Sequence, residues 1–255
     1  MRERVRTDCM NEVGALADAV RSAESTVALT GAGLSAASGV PTFRGEDGLY
    51  EEFSESAFAL RRFRARPDAF WRDWLDLHAH FFEETVEPNA AHDALAAMEA
   101  TGHLDCVLTQ NVDGLHLEAG SEAVVHLHGS GSTATCEACG DVVDVETANA
   151  VVSETGEAPT CDCGGVYKPD TVLFGERLPQ GALARARDRA AKADVLLAAG
   201  SSLTVDPAAA LPATTQREGG SVAVLNLERT RYADSATFVL RDPVEDVLPA
   251  LSDAL

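Results

Sequence analysis

The sequence predicts an α/β fold built on a parallel sheet, as one large domain or one domain carrying an insertion, and three observations lead there. Five short apolar runs, at 27–30, 105–109, 124–127, 193–199 and 221–227, recur with helical or loop stretches between them, as in parallel strands joined by right-handed crossovers. The first run breaks into Gly31-Ala32-Gly33 and then into the small residues from Ser35 to Ser38, which reads as strand, tight turn and helix start. Between the third run and the fourth lie two close cysteine pairs, the mark of an inserted module.

In chain order, an amphipathic helix over 11–22 precedes the first strand. Arg2, Glu3, Arg4, Arg6 and Asp8 interrupt the N-terminal stretch, so neither a signal segment nor a membrane span is expected, and the chain is expected in the cytoplasm with no membrane partner. The glycine turn suits phosphate. Glycine lets the backbone approach an anion closely, and the free N–H groups of the next helix favour negative charge there. Gly31, Gly33 and Ala36 fit G-x-G-x-x-G/A, a weak pattern alone, for which a ligand-free tight turn is the competing reading. A dinucleotide dehydrogenase would end its second strand in an acidic residue about 20 positions on. Glu51 and Glu52 stand near that distance, but no apolar strand precedes them. Instead Pro41-Thr42-Phe43-Arg44-Gly45 supplies a rigid turn, an aromatic ring and a guanidinium suited to covering a bound nucleotide.

Residues 46–88 carry no strand pattern. Their aromatics, Tyr50, Phe53, Phe58, Phe63, Phe70, Trp71, Trp74, Phe81 and Phe82, are spaced for short helices packed over a site, and most of them read as core rather than ligand contacts. A helix over 91–100 follows Pro88-Asn89 and leads into the second strand. Ligands of such sheets bind beyond the carboxyl ends of the strands. Those ends read Gly31-Ala32-Gly33, Thr109-Gln110-Asn111-Val112-Asp113, His128-Gly129, Gly200-Ser201-Ser202 and Asn226-Leu227-Glu228. Five small or polar ends converging on one crevice make a site with acid-base, amide and ribose-binding groups.

Cys136-x-x-Cys139 and Cys161-x-Cys163 are two close pairs whose spacing suits one tetrahedral, structural zinc ion. A closed four-thiolate shell leaves no position for catalytic water. Disulfides or free thiols are the alternatives. Cys9 and Cys106 have no nearby partner in sequence and read as helix and core residues.

Together, G-A-G-L-S-A-A-S-G-V-P-T-F-R-G from Gly31, T-Q-N-V-D-G-L-H-L-E-A-G from Thr109, H-G at His128, the paired cysteines, F-G-E at Phe174, G-S-S-L at Gly200 and N-L-E at Asn226 resemble the ordered motifs of the sirtuins, NAD-dependent protein-lysine deacylases. The resemblance runs over nearly the whole chain. It implies a Rossmann-like NAD-binding domain made of 1–45, 89–130 and 169–255. A helical insertion, 46–88, and a zinc-binding insertion, 131–168, would form the small domain. NAD would be the co-substrate, zinc a structural ion, and an acylated protein lysine in an extended peptide the partner. Gly31, Ala32, Gly33 and Ser35 would hold the pyrophosphate, with Phe43 and Arg44 covering the nicotinamide side. Gln110, Asn111 and Asp113 would contact the nicotinamide ribose and carboxamide. Gly200, Ser201, Ser202, Asn226 and Glu228 would take the adenosine half, with Val244 beside the adenine. Val172, Phe174, Gly175 and Glu176 would line the peptide cleft, by strand addition. Asn111 and His128 would be the catalytic residues.

In a sirtuin-like reaction the acyl-lysine oxygen attacks the ribose carbon as nicotinamide leaves, and a base then activates a ribose hydroxyl. Histidine suits that base because its ordinary pKa lies near neutrality. His126 is the lesser candidate, further inside the strand. His78, His80, His92, His103 and His116 read as structural. Two departures from the family pattern stand out. The second cysteine pair is C-x-C where the family shows C-x-x-C or longer, so the loop must be tighter or the metal less well held, and Asp162 could distort or supplement the shell. Sirtuins preferring acidic acyl groups carry a Tyr followed three positions later by Arg, and the best-matching stretch here, 70–74, has Trp71 and Trp74 instead. Without that guanidinium a succinyl or malonyl carboxylate lacks its bidentate partner, so acetyl or a longer neutral acyl group is expected. A mono-ADP-ribosyltransferase and a catalytically silent NAD-binding regulator are the alternative functions. The peptide-cleft motif and His128 disfavour the first; Asn111, Asp113 and His128 together disfavour the second.

The formal net charge is −21 over 255 residues. Nucleic acid is therefore not expected as a direct partner, because affinity for it is dominated by lysines and arginines neutralising phosphates. Lys168 and Lys192 are the only lysines among 20 basic residues, and an acidic surface nearly free of lysine resembles proteins of salt-adapted cells, where counterions screen self-repulsion. Thermal stability and activity should rise as KCl or NaCl is taken to molar concentration; a melting temperature already at its plateau in dilute buffer would refute this.

Overall fold

The computed structural model describes residues 2–42, 54–81 and 86–255, with no account of the side chains of 2–10, 80 and 81. Strands β1 (Thr26–Thr30), β2 (Cys106–Thr109), β3 (Val124–His126), β7 (Val195–Ala199), β8 (Ser221–Leu225) and β9 (Phe238–Leu240) form one parallel sheet in the order β3-β2-β1-β7-β8-β9. Both faces are covered, so β1, β2 and β7 are buried at every position and their sequences are continuous apolar runs rather than alternations.

On one face pack α1 (Arg2–Ser22), α5 (Ala90–Ala100) and α10 (Val244–Asp253), through Leu16, Val20, Leu95, Met98, Val247 and Leu251. On the other lie α8 (Gln180–Lys192), whose Ala182, Ala186 and Ala190 recur every four residues, and α9 (Leu211–Arg217). Asn89 caps α5: its side chain accepts from Ala91 N–H, while its own N–H donates to His92 Nδ1.

A second sheet is antiparallel, ordered β5-β4-β6, from β4 (Gly129–Cys136), β5 (Val142–Asp144) and β6 (Tyr167–Thr171). With α7 (Val145–Thr155), α3 (Leu60–Ala65) and α4 (Pro67–Phe81) it encloses a separate apolar core that includes Phe63, Phe70, Trp71, Ala134, Val152 and Leu173. Trp71 is fully buried and its indole N–H donates to the Tyr167 carbonyl at 2.9 Å. That bond joins the helical insertion to the cysteine-bearing one, together with the bonds of Arg72 to Gly156 O and of Ala158 N–H to Asp68 Oδ1.

The expected elements are present with ends shifted by one or two residues, except that α1 begins at Arg2 rather than near Asn11. Charges spread along its first turns hide its period from the sequence. Strand β9, the small sheet and α7 were not expected. β9 is three residues long, too short for a pattern, and β4 reads G-S-G-S-T-A-T-C, with small polar residues where an apolar alternation would show. Short α2 (Ala32–Ser35) follows the glycine turn as expected. No described helix is long and apolar enough to cross a membrane.

The reversal of strand order falls between β1 and β7, and there the backbones nearly touch. Gly33 N–H donates to the Gly200 carbonyl at 2.8 Å. Gly200 has φ +60, and a Cβ built on it would stand 2.2 Å from the Leu34 nitrogen. Gly200→Ala should therefore destabilise by about 2 kcal/mol or more, from left-handed strain plus the clash. For a chain of this size that lowers the melting temperature by at least roughly 4 °C; an unchanged melting curve would contradict the contact.

Candidate functional site

A cavity of about 840 Å³ opens at the carboxyl ends of the parallel strands, within the size range of small-molecule sites. Its wall takes one segment from each strand end: Gly31 to Gly33, Gln110 to Asp113, His128, Gly200 to Ser202, and Asn226 to Glu228, with Val244 of α10 beside them. The five polar ends converge as their sequences suggested. The glycine turn is held open from below, since Gly31 N–H donates to Ala199 O at 3.2 Å and Gly33 N–H to Gly200 O. Side chains on Gly31 or Gly33 would collide with the Gly200 carbonyl at 2.9 Å, so the turn is a cradle that only glycine leaves clear. This fits a pyrophosphate.

Asn111 is buried, and its Nδ2 donates to Ser35 Oγ at 2.9 Å and to Gly31 O at 3.2 Å. Ser35 Oγ in turn donates to Asp113 Oδ2 at 2.7 Å. Ser35 is thus turned inward and does not line the cavity, whereas Asn111 and Asp113 do. Gln110 is fixed through Nε2, which donates to Ser201 Oγ at 2.9 Å and to Thr30 O at 3.2 Å. Beneath them His92 and His116 meet edge to face at 4.9 Å, and Thr30 Oγ1 lies 2.9 Å from His116 Nε2. Burial pushes the pKa of His116 down to about 3, and burial likewise lowers that of His92. Both rings are neutral structural members of the site, as read from sequence.

His128 is half-buried in the cavity wall, with Nδ1 3.0 Å from the Gln110 carbonyl oxygen. A carbonyl only accepts, so Nδ1 carries the proton and Nε2 keeps a free lone pair. Burial lowers the pKa of His128 and the bond to Gln110 O partly offsets it. The ring is therefore unprotonated at neutral pH, as a base must be. His126, the last residue of β3, is not part of the cavity wall.

Across the cavity runs the segment after β6. Thr171 to Glu176 line it, and its backbone is tied on both sides: Val172 N–H donates to His128 O at 2.8 Å, Phe174 N–H to Phe58 O at 3.0 Å and Leu60 N–H to Phe174 O at 3.0 Å. Phe58, Trp74, Leu77 and His78 complete the apolar end. Phe43 and Arg44 lie outside the described residues.

The four paired cysteines come together at the far end of the small sheet. Cys136 Sγ and Cys163 Sγ are 3.5 Å apart, Cys139 Sγ and Cys161 Sγ 3.6 Å, and all four sulfurs lie within 4.8 Å of one another. A tetrahedral Zn–S shell at about 2.3 Å requires sulfurs roughly 3.8 Å apart, so the set fits one zinc ion. All four are free thiols rather than disulfides. The short C-x-C spacing is accommodated by Gly165, where a Cβ would stand 2.5 Å from Cys136 Sγ, and Asp162 is not a member of the cluster.

Comparison with known proteins decides the family. The sequence model of the Sir2 family matches residues 31–207. The chain belongs to the Sir2 family. An NAD-dependent protein deacetylase of Haloarcula marismortui is 49% identical over 243 residues, 94% of each chain. One of Sulfolobus acidocaldarius is 41% identical over 240 residues, again 94% of each. Among solved structures, a Sir2 variant with a deacetylated p53 peptide and 3'-O-acetyl ADP-ribose superposes with a TM-score of 0.88 at 36% identity, covering 94% of this chain and 96% of that one. A Sir2–p53 peptide–NAD+ complex gives 0.84 at 36% identity, over 92% and 95%.

In this Sir2 chain the sequence reading passed over the apolar wall. Trp74 was read as core, His78 as structural and Leu77 not at all, although Phe70, Trp71, Trp74, Leu77 and His78 recur along one face of α4. Of the two tryptophans weighed for acyl selection, only Trp74 reaches the cavity; Trp71 is spent on the small-domain core. Elemental analysis tests the metal site: the protein should carry about one zinc per chain, and Cys136→Ser or Cys161→Ser should lose it and melt earlier, because a structural metal's binding energy is also folding energy. Folded, active wild type without zinc would refute it.

Proposed function

We propose that the chain is an NAD-dependent protein-lysine deacylase that moves the acyl group from lysine to ADP-ribose and releases nicotinamide. The observation that carries this is His128: its free Nε2 stands in the cavity that the glycine turn shares with the segment 172–176. When bound, NAD supplies a ribose carbon that accepts the acyl oxygen as nicotinamide departs. Gly31, Ala32 and Gly33 hold the pyrophosphate, and Ser35 acts from beneath by orienting Asn111 and Asp113 toward the nicotinamide ribose. Gln110 contributes through Ser201. Ser202, Asn226 and Glu228 take the adenosine half, with Gly200 keeping that wall close and Val244 packing on the ring; Phe43 and Arg44 cover the nicotinamide side. Asn111 positions the reacting ribose, and His128 Nε2 takes the hydroxyl proton.

The acylated lysine arrives in an extended peptide along Val172, Phe174, Gly175 and Glu176. The relatives are named deacetylases and deacylases, and one Sir2 structure holds a propionylated peptide. Phe58, Trp74 and Leu77 offer the acyl group an apolar wall, and no described arginine lines the cavity. That supports acetyl or a longer neutral chain over succinyl or malonyl. Residues 46–88 and 131–168 make the small domain, and 1–45, 89–130 and 169–255 the NAD-binding domain. Nucleic acid is not a direct partner, given the charge of −21.

His128→Ala tests the assignment. NAD binding should survive, because the glycine turn is untouched, while deacylation falls by about 10²–10⁴. Exchange of labelled nicotinamide into NAD, with acyl peptide present, should persist better than deacylation, because nicotinamide leaves before the base is needed. Equal loss of both would place His128 earlier in the sequence; full deacylation would hand the role to another residue, His126 first.

A further inference from the structure

Lys168 is one of two lysines in the chain, and its side chain is only 14% exposed. A buried ammonium needs partners. Its Nζ donates to the carbonyls of Pro169 at 2.8 Å and Thr171 at 3.0 Å, and stands 3.2 Å from Glu176 Oε2. The same Glu176 oxygen accepts the Leu173 N–H at 2.9 Å, while Glu176 N–H donates to the Leu173 carbonyl at 2.9 Å. The Glu176 carboxylate is thus directed into the segment rather than offered to a ligand. One ammonium binds the last carbonyls of β6 to the turn at 173–176 and closes the intervening stretch into a fixed loop.

We infer that Lys168, acting through Glu176, is a positioning residue for the acyl-lysine peptide: it fixes the shape of the loop 171–176 that lines the cavity. The outer bonds of the segment, to His128, Phe58 and Leu60, fix its direction, and among the described side chains Lys168 and Glu176 tie the segment to itself. Without the ammonium, two carbonyls and a carboxylate lose their shared donor, and the carboxylate is drawn out toward water. The pair is partly buried, so molar salt screens it less than a surface pair.

The inference rests on the proposed deacylase reading, and the test separates the two. Lys168→Met should raise the KM for an acetyl-lysine peptide by roughly tenfold, the size of one charge-assisted hydrogen bond. The KM for NAD should stay put, because the glycine turn and Gly200 lie on other strands, and kcat should change less than the peptide KM. Lys168→Arg, which keeps the charge and several donors, should recover most of the loss. A wild-type peptide KM in Lys168→Met, an equal rise in the KM for NAD, or an arginine variant as impaired as the methionine one would overturn the inference. If wild-type protein deacylates no acyl peptide, the functional reading fails and takes the peptide role with it. Hydrogen exchange then still judges the clamp: faster exchange of the Leu173 and Phe174 amides in Lys168→Met sustains it, and unchanged protection removes it.

Discussion

The contact between Gly33 and Gly200 is the constraint on which the site depends. A parallel sheet whose order reverses between β1 and β7 opens a crevice at that point, and the crevice is useful only if the two strand ends approach without side chains between them. Here they do: the Gly33 N–H reaches the Gly200 carbonyl at 2.8 Å. Any bulk on either residue would push apart the glycine turn and the loop that carries Ser201 and Ser202. The cavity is a consequence of sheet topology, and its phosphate-sized cradle a consequence of two missing Cβ atoms.

Below that cradle lies a chain of polar groups, buried except where Asn111 and Asp113 reach the cavity. Thr30 donates to Thr109 at 2.9 Å, His116 bonds Thr30, His92 lies against His116, and Ser35 joins Asn111 to Asp113. Buried polar groups are ordinarily partnered; His116 is partnered at Nε2 by Thr30, while its buried Nδ1 has no hydrogen-bond partner. The depressed pKa values of His92 and His116 keep both rings uncharged at ordinary pH. The same desolvation acts on His128 with a different result, since its Nε2 faces the cavity and keeps an unused lone pair. Burial thus leaves His92 and His116 as supports and His128 with the open ring nitrogen that its proposed role as base requires.

Much of this was legible in the sequence, because strand ends in a parallel sheet carry the ligand and each end announced itself. Gly31 to Gly33, Asn111, Asp113, His128 and the Gly200 loop could all be named from where an apolar run stops. The cysteine cluster was legible for a similar reason, since two close pairs need only a loop to meet. The small sheet was not. β4 is built from Gly, Ser and Thr, and its pairing with β6 is set by register rather than by an apolar period. The inward turn of Ser35 was equally hidden: a small residue after a glycine turn suits a phosphate, and only the positions of Asn111 and Asp113 show that its hydroxyl is already used. The amphipathic period of α4 did point to Trp74, Leu77 and His78 as one face, but a period alone does not say whether that face meets a core or a cavity.

Strand β4 joins the four-cysteine cluster, which suits a structural zinc ion, to a cavity that the cluster does not line. β4 begins at Gly129, next to His128, and ends at Cys136; it bulges between Gly129 and Ala134, and β6 covers the same pairing from Thr171 to Tyr167, so the ladder spans about 13 Å at the usual rise of roughly 3.3 Å per residue. Along it the register pairs Cys136 with Tyr167, Thr135 with Lys168 and Gly129 with Thr171. One end of this ladder is therefore gripped by the four thiols. Lys168 lies one step in from that grip, and the other end holds both the backbone of His128 and the start of the segment 171–176. Along the ladder Tyr167 stands nearest the cluster, then Lys168, and the bond between Val172 and His128 lies furthest from it. The cysteine cluster thus reaches His128 through the backbone of a two-stranded ladder rather than through contact with a ligand.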